Sequence, residues 1–259
     1  MPERDRHPVV AKVERLLARV GLRKRVIRVD GVRYRERSGI SLRRALGELG
    51  PGVKEYDARF TGVTGDRRSM RIRYTRSRRY HDIGSDPRVG LYETFIDRVR
   101  PGMRVLELGC GTGAGSAMLA RAVGPSGGVV SLDRDGESIR FARQRYPSDQ
   151  QGFELGWTES LDGELDGAFE CMVCVDPLRV AEDDSERARQ SVQLVRVVRA
   201  GAMVVAIHET ENGLSGVVDR LVGFGLVERE RIGAESRDGW VGCVLVKPDP
   251  QRAEKGRDG

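Results

Sequence analysis

Residues 105–116 read VLELGCGTGAGS. A short apolar run passes into three alternating glycines, Gly109, Gly111 and Gly113, and a carboxylate, Glu107, stands two places ahead of the first. The run has the length and composition of a buried strand. The residues after Gly113 keep helical character to about 122, where Gly124-Pro125 stops them. Strand, glycine turn and helix in that order put the turn at the carboxyl end of a strand, where open α/β sheets hold their ligands. Glycine there permits φ > 0 and a close backbone approach. The next strand-like run, residues 128–132, leads into Asp133. A carboxylate at that place can accept from both hydroxyls of a ribose, so turn and acid together specify a ribose-containing ligand.

The pattern continues outward on both sides. Helical spacing at 91–99, 137–145, 185–198 and 214–222 alternates with strand-like runs at 104–108, 128–132, 153–156, 169–175 and 203–207. That alternation predicts an α/β fold, a doubly wound and mostly parallel sheet with right-handed crossovers. Two last strands, 226–232 and 240–247, have only a turn between them, so the C-terminal one must run antiparallel. The domain is expected over 86–249, with a disordered tail at 250–259.

Residues 1–85 follow another pattern. A helix is expected at 9–20, a hairpin about Asp30-Gly31, a helix at 42–49, and a strand at 68–74 with Met70, Ile72 and Tyr74 on one face and Arg71 and Arg73 on the other. This reads as a small basic α+β accessory region. Its 23 Lys+Arg against 10 Asp+Glu give a net charge of +13, whereas the whole chain of 259 residues carries only +6. A GC-rich coding bias explains arginine in place of lysine; it does not explain why the excess sits at one end.

Two cofactor classes fit the glycine turn. Gly109, Gly111 and Ala114 satisfy the dinucleotide pattern G-x-G-x-x-G/A, which would suit a nicotinamide-dependent oxidoreductase. The wider stretch resembles something else. VLELGCGTG is similar to motif I of the class I S-adenosylmethionine-dependent methyltransferases, an acid, any residue, then G-x-G-x-G, matched by Glu107, Gly109, Gly111 and Gly113. VVSLDRDGESIRFAR resembles that family's second strand region. The resemblance covers about 88–247 and implies a Rossmann-like methyltransferase fold with S-adenosyl-L-methionine on Gly109, Cys110, Gly111 and Gly113. It also implies that Glu107 anchors the site near the methionine amino group and that Asp133 holds the ribose. After the third strand the family often carries an acid near the adenine; Trp157 stands there, able to stack on a base or simply to pack.

Methyl transfer from a sulfonium is a displacement on an activated carbon, so the enzyme chiefly aligns the reactants. A general base matters only where the acceptor holds a proton. Two candidates follow strands: Asp176, in an Asp-Pro-Leu-Arg run that half resembles the D/N-P-P-aromatic motif of amino methyltransferases, and His208, a candidate base. The plain alternatives are a turn cap and a hydrogen-bonded strand end. Cys171 and Cys174 make a CxxC, but a strand sends i and i+3 to opposite faces, so core packing is expected and no metal.

Residues 70–81, MRIRYTRSRRYH, interleave Arg71, Arg73, Arg76, Arg78 and Arg79 with tyrosines. That suggests a grip on RNA or another polyanion; a solvated basic face is the plain alternative. The functional reading is thus an S-adenosylmethionine-dependent methyltransferase with a slight lean to RNA or another polyanion as acceptor. A small-molecule methyltransferase with residues 1–85 as a lid, and a non-catalytic RNA-binding protein with a vestigial cofactor fold, are the rivals. Four cysteines, no apolar N-terminal run and no membrane-length segment suit a reducing cytoplasm.

Overall fold

The computed structural model describes residues 26–29, 31–37, 54–61, 65–74, 88–175, 183–233 and 240–250. The chain divides into two compact units, Met1–Gly84 and Ser85–Gly259. The helices expected at 9–20 and 42–49, Arg76, Arg78, Arg79 and Asp176, and residues 251–259 of the expected tail lie outside the described residues.

In the first unit β1 (Val26–Val29), β2 (Val32–Glu36), β3 (Lys54–Thr61) and β4 (Arg67–Tyr74) form an antiparallel sheet in the order β1-β2-β3-β4. The Asp30-Gly31 hairpin is as the sequence reads: Val29 pairs with Val32, and Gly31 takes φ 74°. Strand alternation sorts the sheet sharply. Tyr34, Tyr56, Ala58, Phe60, Met70 and Ile72 are buried on one face, while Arg33, Arg35, Arg59, Arg71 and Arg73 are exposed on the other.

The second unit begins with α1 (Val89–Phe95) and a 3-10 turn, Ile96–Arg98. Then follow β5 (Arg104–Leu108), α2 (Ala114–Val123), β6 (Gly128–Asp133), α3 (Gly136–Arg145), β7 (Gln151–Leu155), a 3-10 turn (Thr158–Leu161) and β8 (Phe169–Val175). α4 (Asp184–Val197), β9 (Val198–His208), α5 (Glu211–Gly223), β10 (Val227–Ile232) and β11 (Val241–Val246) complete it. The seven strands lie in the order β10-β11-β9-β8-β5-β6-β7. β11 slots between β10 and β9 and is antiparallel to both, while the remaining pairs are parallel. This is the mostly parallel sheet with an antiparallel C-terminal strand that the sequence predicts.

Some boundaries differ: α1 ends at Phe95, short of the expected 99, and α5 begins at Glu211, ahead of the expected 214. The helix-to-strand turn expected at 199–201 is instead the start of β9, which carries an irregularity opposite Phe169/Cys171. Backbone bonds to Lys247 hold it there: Gly201 N–H donates to the Lys247 carbonyl at 2.8 Å, and Lys247 N–H to that of Ala202 at 3.1 Å. Pairing with a distant strand overrides a local turn signal.

Three helices begin at side-chain caps. Asp135 caps α3, accepting from Glu137 N–H at 3.3 Å and from the Ser138 hydroxyl at 2.6 Å. Asp183 caps α4 through Glu186 N–H, and Thr210 caps α5 through Gly213 N–H. α2 has no such side-chain cap; Gly113, at φ 85°, precedes it.

The sheet is covered on both faces. Leu106, Leu108, Met172, Cys174, Val204 and Ala206 pack with α4 and α5, whereas Val105, Cys171, Val173, Val205 and Ile207 pack with α1 and α2. The CxxC is thereby split as expected, one thiol in each core. Burial pushes both up to about 12, so each packs as a neutral small apolar group. Among the described residues no cluster of His, Cys, Asp or Glu could hold a metal ion, and no helix is long and apolar enough to cross a membrane.

Candidate functional site

β5 lies inside the sheet between β8 and β6, and the chain leaves it for β6 on one side and returns as β8 on the other. In open α/β sheets such a reversal is where ligands bind, beyond the carboxyl ends. The turn 109–113 lies there, together with Asp133 at the end of β6, Trp157 after β7 and His208 at the end of β9. Asp176, the next residue after β8, is outside the described set.

The turn is held from within. Gly109 takes φ 79°, and a Cβ there would lie 2.9 Å from the Val175 carbonyl oxygen and 3.4 Å from the Trp157 ring. A Cβ on Gly113 would meet Ala142 and Phe153 at 2.9 Å. So the bare backbone first admits the protein's own β8, α3 and β7. A turn that tightens strand-to-helix packing is the plain alternative to a ligand's approach, and that packing is present at both glycines.

Asp133 ties the turn to the second strand. Its Oδ2 accepts Gly111 N–H at 2.7 Å and its Oδ1 accepts Asp135 N–H at 2.8 Å. Each carboxylate oxygen has two acceptor positions. One on each oxygen thus remains for hydroxyls of a bound group. Asp133 is 9% exposed.

Glu107 sits beneath the turn and is fully buried. Alternation along β5 sends it to the α1/α2 face. There the Tyr92 hydroxyl donates to Oε1 at 2.6 Å, and the hydroxyls of Ser131 (2.8 Å) and Ser116 donate to Oε2. Burial raises the Glu107 pKa; these hydroxyls and the nearby Arg88 charge pull it back down. Arg88, ahead of α1, donates from Nη1 to the Gly109 carbonyl at 2.6 Å and lies 5.8 Å from the Trp240 ring centroid. The expectation for Glu107 was a direct or water-bridged contact with a ligand amine. What the structure brings together is a hydroxyl cage that fixes the acid under the turn.

Sequence reasoning missed Arg88, Tyr92, Ser116 and Ser131. One signal was available: Ser131 interrupts the apolar run VVSLD and pairs in register with Glu107. Nothing local marks Tyr92, whose partner is 15 residues away.

Cys110 is 1% exposed, and burial, then the carboxylates of Glu107 and Asp133, push its pKa well above that of an ordinary thiol. It lines the turn as an uncharged group. Trp157 is 5% exposed and packs in the α4/α5 core, with the Arg134 guanidinium 5.5 Å from its ring centroid; Arg134 also pairs with Glu159 at 3.5 Å. Packing, one of the two readings of Trp157, is what the geometry displays. His208 is half-buried and lies directly on Gly213 at the start of α5. Its Nδ1 accepts Thr210 N–H at 3.1 Å, which assigns the proton of the neutral ring to Nε2. That bond engages Nδ1 with the backbone at the start of α5.

Comparison with known proteins points one way. Residues 100–212 match a family model described as a methyltransferase domain. An N-methyltransferase from Bradyrhizobium japonicum, crystallised with S-adenosyl-L-homocysteine, superposes with a TM-score of 0.54 at 17% identity, covering 64% of this chain and 88% of that one. The likeness establishes the Rossmann-like methyltransferase fold. In sequence, the chain is 36% identical over 107 residues to an uncharacterized 37.1 kDa protein in transposon TN4556 of Streptomyces fradiae, covering 41% of this chain and 30% of that protein. It is 28% identical over 113 residues to the ubiquinone/menaquinone biosynthesis C-methyltransferase of Pasteurella multocida, covering 42% and 41%. The chain thus spans less than half the length of these two relatives.

Proposed function

From a chain whose residues 100–212 match a methyltransferase-domain family model, we propose that this protein transfers a methyl group from S-adenosyl-L-methionine, seated on the 109–113 turn. The observation that carries the reading is the linked pair of the Gly111–Asp133 contact and the caged Glu107. The donor set fits the cofactor. Asp133 keeps one acceptor position per oxygen for a vicinal diol, and α2 opens toward the turn without a side-chain cap, offering N–H groups and a positive helix end to a carboxylate.

When bound, the cofactor supplies an electrophilic methyl carbon on a sulfonium sulfur. Asp133 would hold the ribose, and the Gly109 carbonyl, shared with Arg88, would face the methionine amine. Glu107 keeps the turn in place from below through Tyr92, Ser116 and Ser131. Its contribution is preorganisation, so that alignment is not bought anew at each turnover. Trp157 and Arg134 close the side after β7.

Asp133→Ala tests this reading. Losing two charge-assisted hydrogen bonds should weaken S-adenosylhomocysteine binding by about a hundredfold, measured by titration calorimetry on protein with an unchanged melting curve. Unaltered affinity would remove Asp133 from the ribose site.

For the acceptor, RNA or another polyanion is supported by the +13 charge of residues 1–85. The second reading is a small molecule, with residues 1–85 as a lid; the similarity to an enzyme named for ubiquinone/menaquinone biosynthesis favours it. Methyl-labelled cofactor in a fractionated extract separates the two. Label lost to ribonuclease supports the first, and label in a small-molecule filtrate supports the second. Cofactor binding without label in any fraction would instead suit the non-catalytic RNA-binding rival.

A further inference from the structure

Of the arginines in the basic stretch named by the sequence, residues 70–81, Arg71 and Arg73 are the two among the described residues. Arg73 donates to Glu55 at 2.9 Å, and Arg37 approaches Glu55 at 3.7 Å and Asp57 at 3.2 Å. Both acids of the basic sheet face are thereby engaged at one end of it. Two residues further along the strands the register places Arg28 opposite Arg33 and Arg33 opposite Arg59. All three are exposed, and none has an ion pair among the described residues.

Like charges directly opposite one another on neighbouring strands oppose sheet formation. A row of three across three strands is therefore a cost the fold carries without any local return. Strands lie about 4.8 Å apart, so the row spans roughly 10 Å of sheet. Arg35 and Arg71 extend it by a second row on the same face, on either side of Asp57.

We propose that this sheet face binds the phosphate backbone of a nucleic-acid duplex, with the row Arg28, Arg33 and Arg59 as its centre. A duplex carries one negative charge per about 1.7 Å of its axis, so roughly six fall within the reach of the row. Guanidinium forks suit phosphate oxygens. The aromatic residues argue for a duplex over a single strand. Single strands are gripped by stacking bases on exposed rings, whereas Tyr34, Tyr56 and Phe60 are buried on the opposite face, at 0%, 1% and 4% exposure. The proposal concerns the first unit alone and stands whether or not the second transfers a methyl group.

The test uses the full chain with fluorescein-labelled short RNA and DNA duplexes of one sequence, followed by anisotropy across a salt series. Poly-glutamate, heparin and an unstructured single strand serve as competitors. The triple variant Arg28→Gln/Arg33→Gln/Arg59→Gln should lose affinity on the order of a hundredfold at low salt. Its log K against log salt should flatten by about 2.7, or about 0.9 per phosphate contact removed. The triple Arg→Lys variant should keep most of that slope, since charge is retained. S-adenosylhomocysteine binding and amide exchange in β2 and β3 report that both units remain folded. A preference for one duplex identifies the natural backbone as RNA or DNA. An unchanged slope in the Gln variant, stronger competition by heparin, poly-glutamate or the single strand than by unlabelled duplex, or no duplex binding by the wild type overturns the proposal.

Discussion

Two glutamates on interior strands of two sheets, Glu55 on β3 and Glu107 on β5, are both fully buried, and the protein accommodates them in opposite ways. Glu55 lies under cations: Arg73 and Arg37 close over it, with 43% and 32% of their own side chains in solvent. Glu107 has no cation at bonding distance among the described residues. Three hydroxyls surround it, and burial raises its pKa. In the first unit the charge is answered at the surface by partly exposed cations. In the second it is answered inside by fixed dipoles from α1, α2 and β6. The first arrangement tunes a surface; the second ties three elements to the glycine turn, which is what a site needing fixed geometry requires.

The largest effect that could break this contrast is on stability. Glu107→Ala strands three buried hydroxyl donors and opens a cavity. At about 1–3 kcal/mol for each buried polar group left unpaired, the second unit should lose roughly 3 kcal/mol or more. Urea denaturation followed by tryptophan emission reads that unit alone, because Trp157 and Trp240 both lie in it. A loss under about 1 kcal/mol would mean that the hydroxyls find other partners, and that the cage is incidental.

A subtler effect separates charge from shape. With its pKa raised by burial, the folded Glu107 binds its proton more tightly than the unfolded chain does. Its contribution is therefore fullest below the ordinary glutamate range and declines as pH rises through the raised value. Glu107→Gln should remove that decline, so wild-type and variant melting temperatures should diverge across the window and run parallel above it. Parallel curves throughout would show that the carboxylate carries no burial cost.

Glu55→Ala should be the mildest. Its two arginines are partly exposed and can turn to water, and such pairs are worth about 0–1 kcal/mol. With some lost packing, a cost of about 1 kcal/mol is expected, seen as faster amide exchange in β3 and β4. A penalty matching that of Glu107→Ala would erase the distinction between the two sites.

Much of this was legible in the chain. The period-2 and period-3.6 patterns place nearly every described element of the second unit within a few residues, because alternation records which face meets the core. The turn 109–113, Asp133 and the splitting of Cys171 from Cys174 are consequences of spacing along one strand or one crossover. The cage around Glu107 is another matter. Tyr92, Ser116 and Ser131 stand 15, 9 and 24 residues from it, on three different elements. The start of β9 was misread because its partner, Lys247, is distant in the chain.

The basic surface shows the same division most plainly. Residue counts alone determine that the first 85 residues are strongly positive, and strand alternation determines which arginines share a face. Only strand register decides that Arg73 and Arg37 fall beside Glu55 and are neutralised, while Arg28, Arg33 and Arg59 fall beside one another. Composition and periodicity are properties of neighbouring residues. Which charge meets which depends on pairings closed by the tertiary fold, and a local pattern carries no record of them.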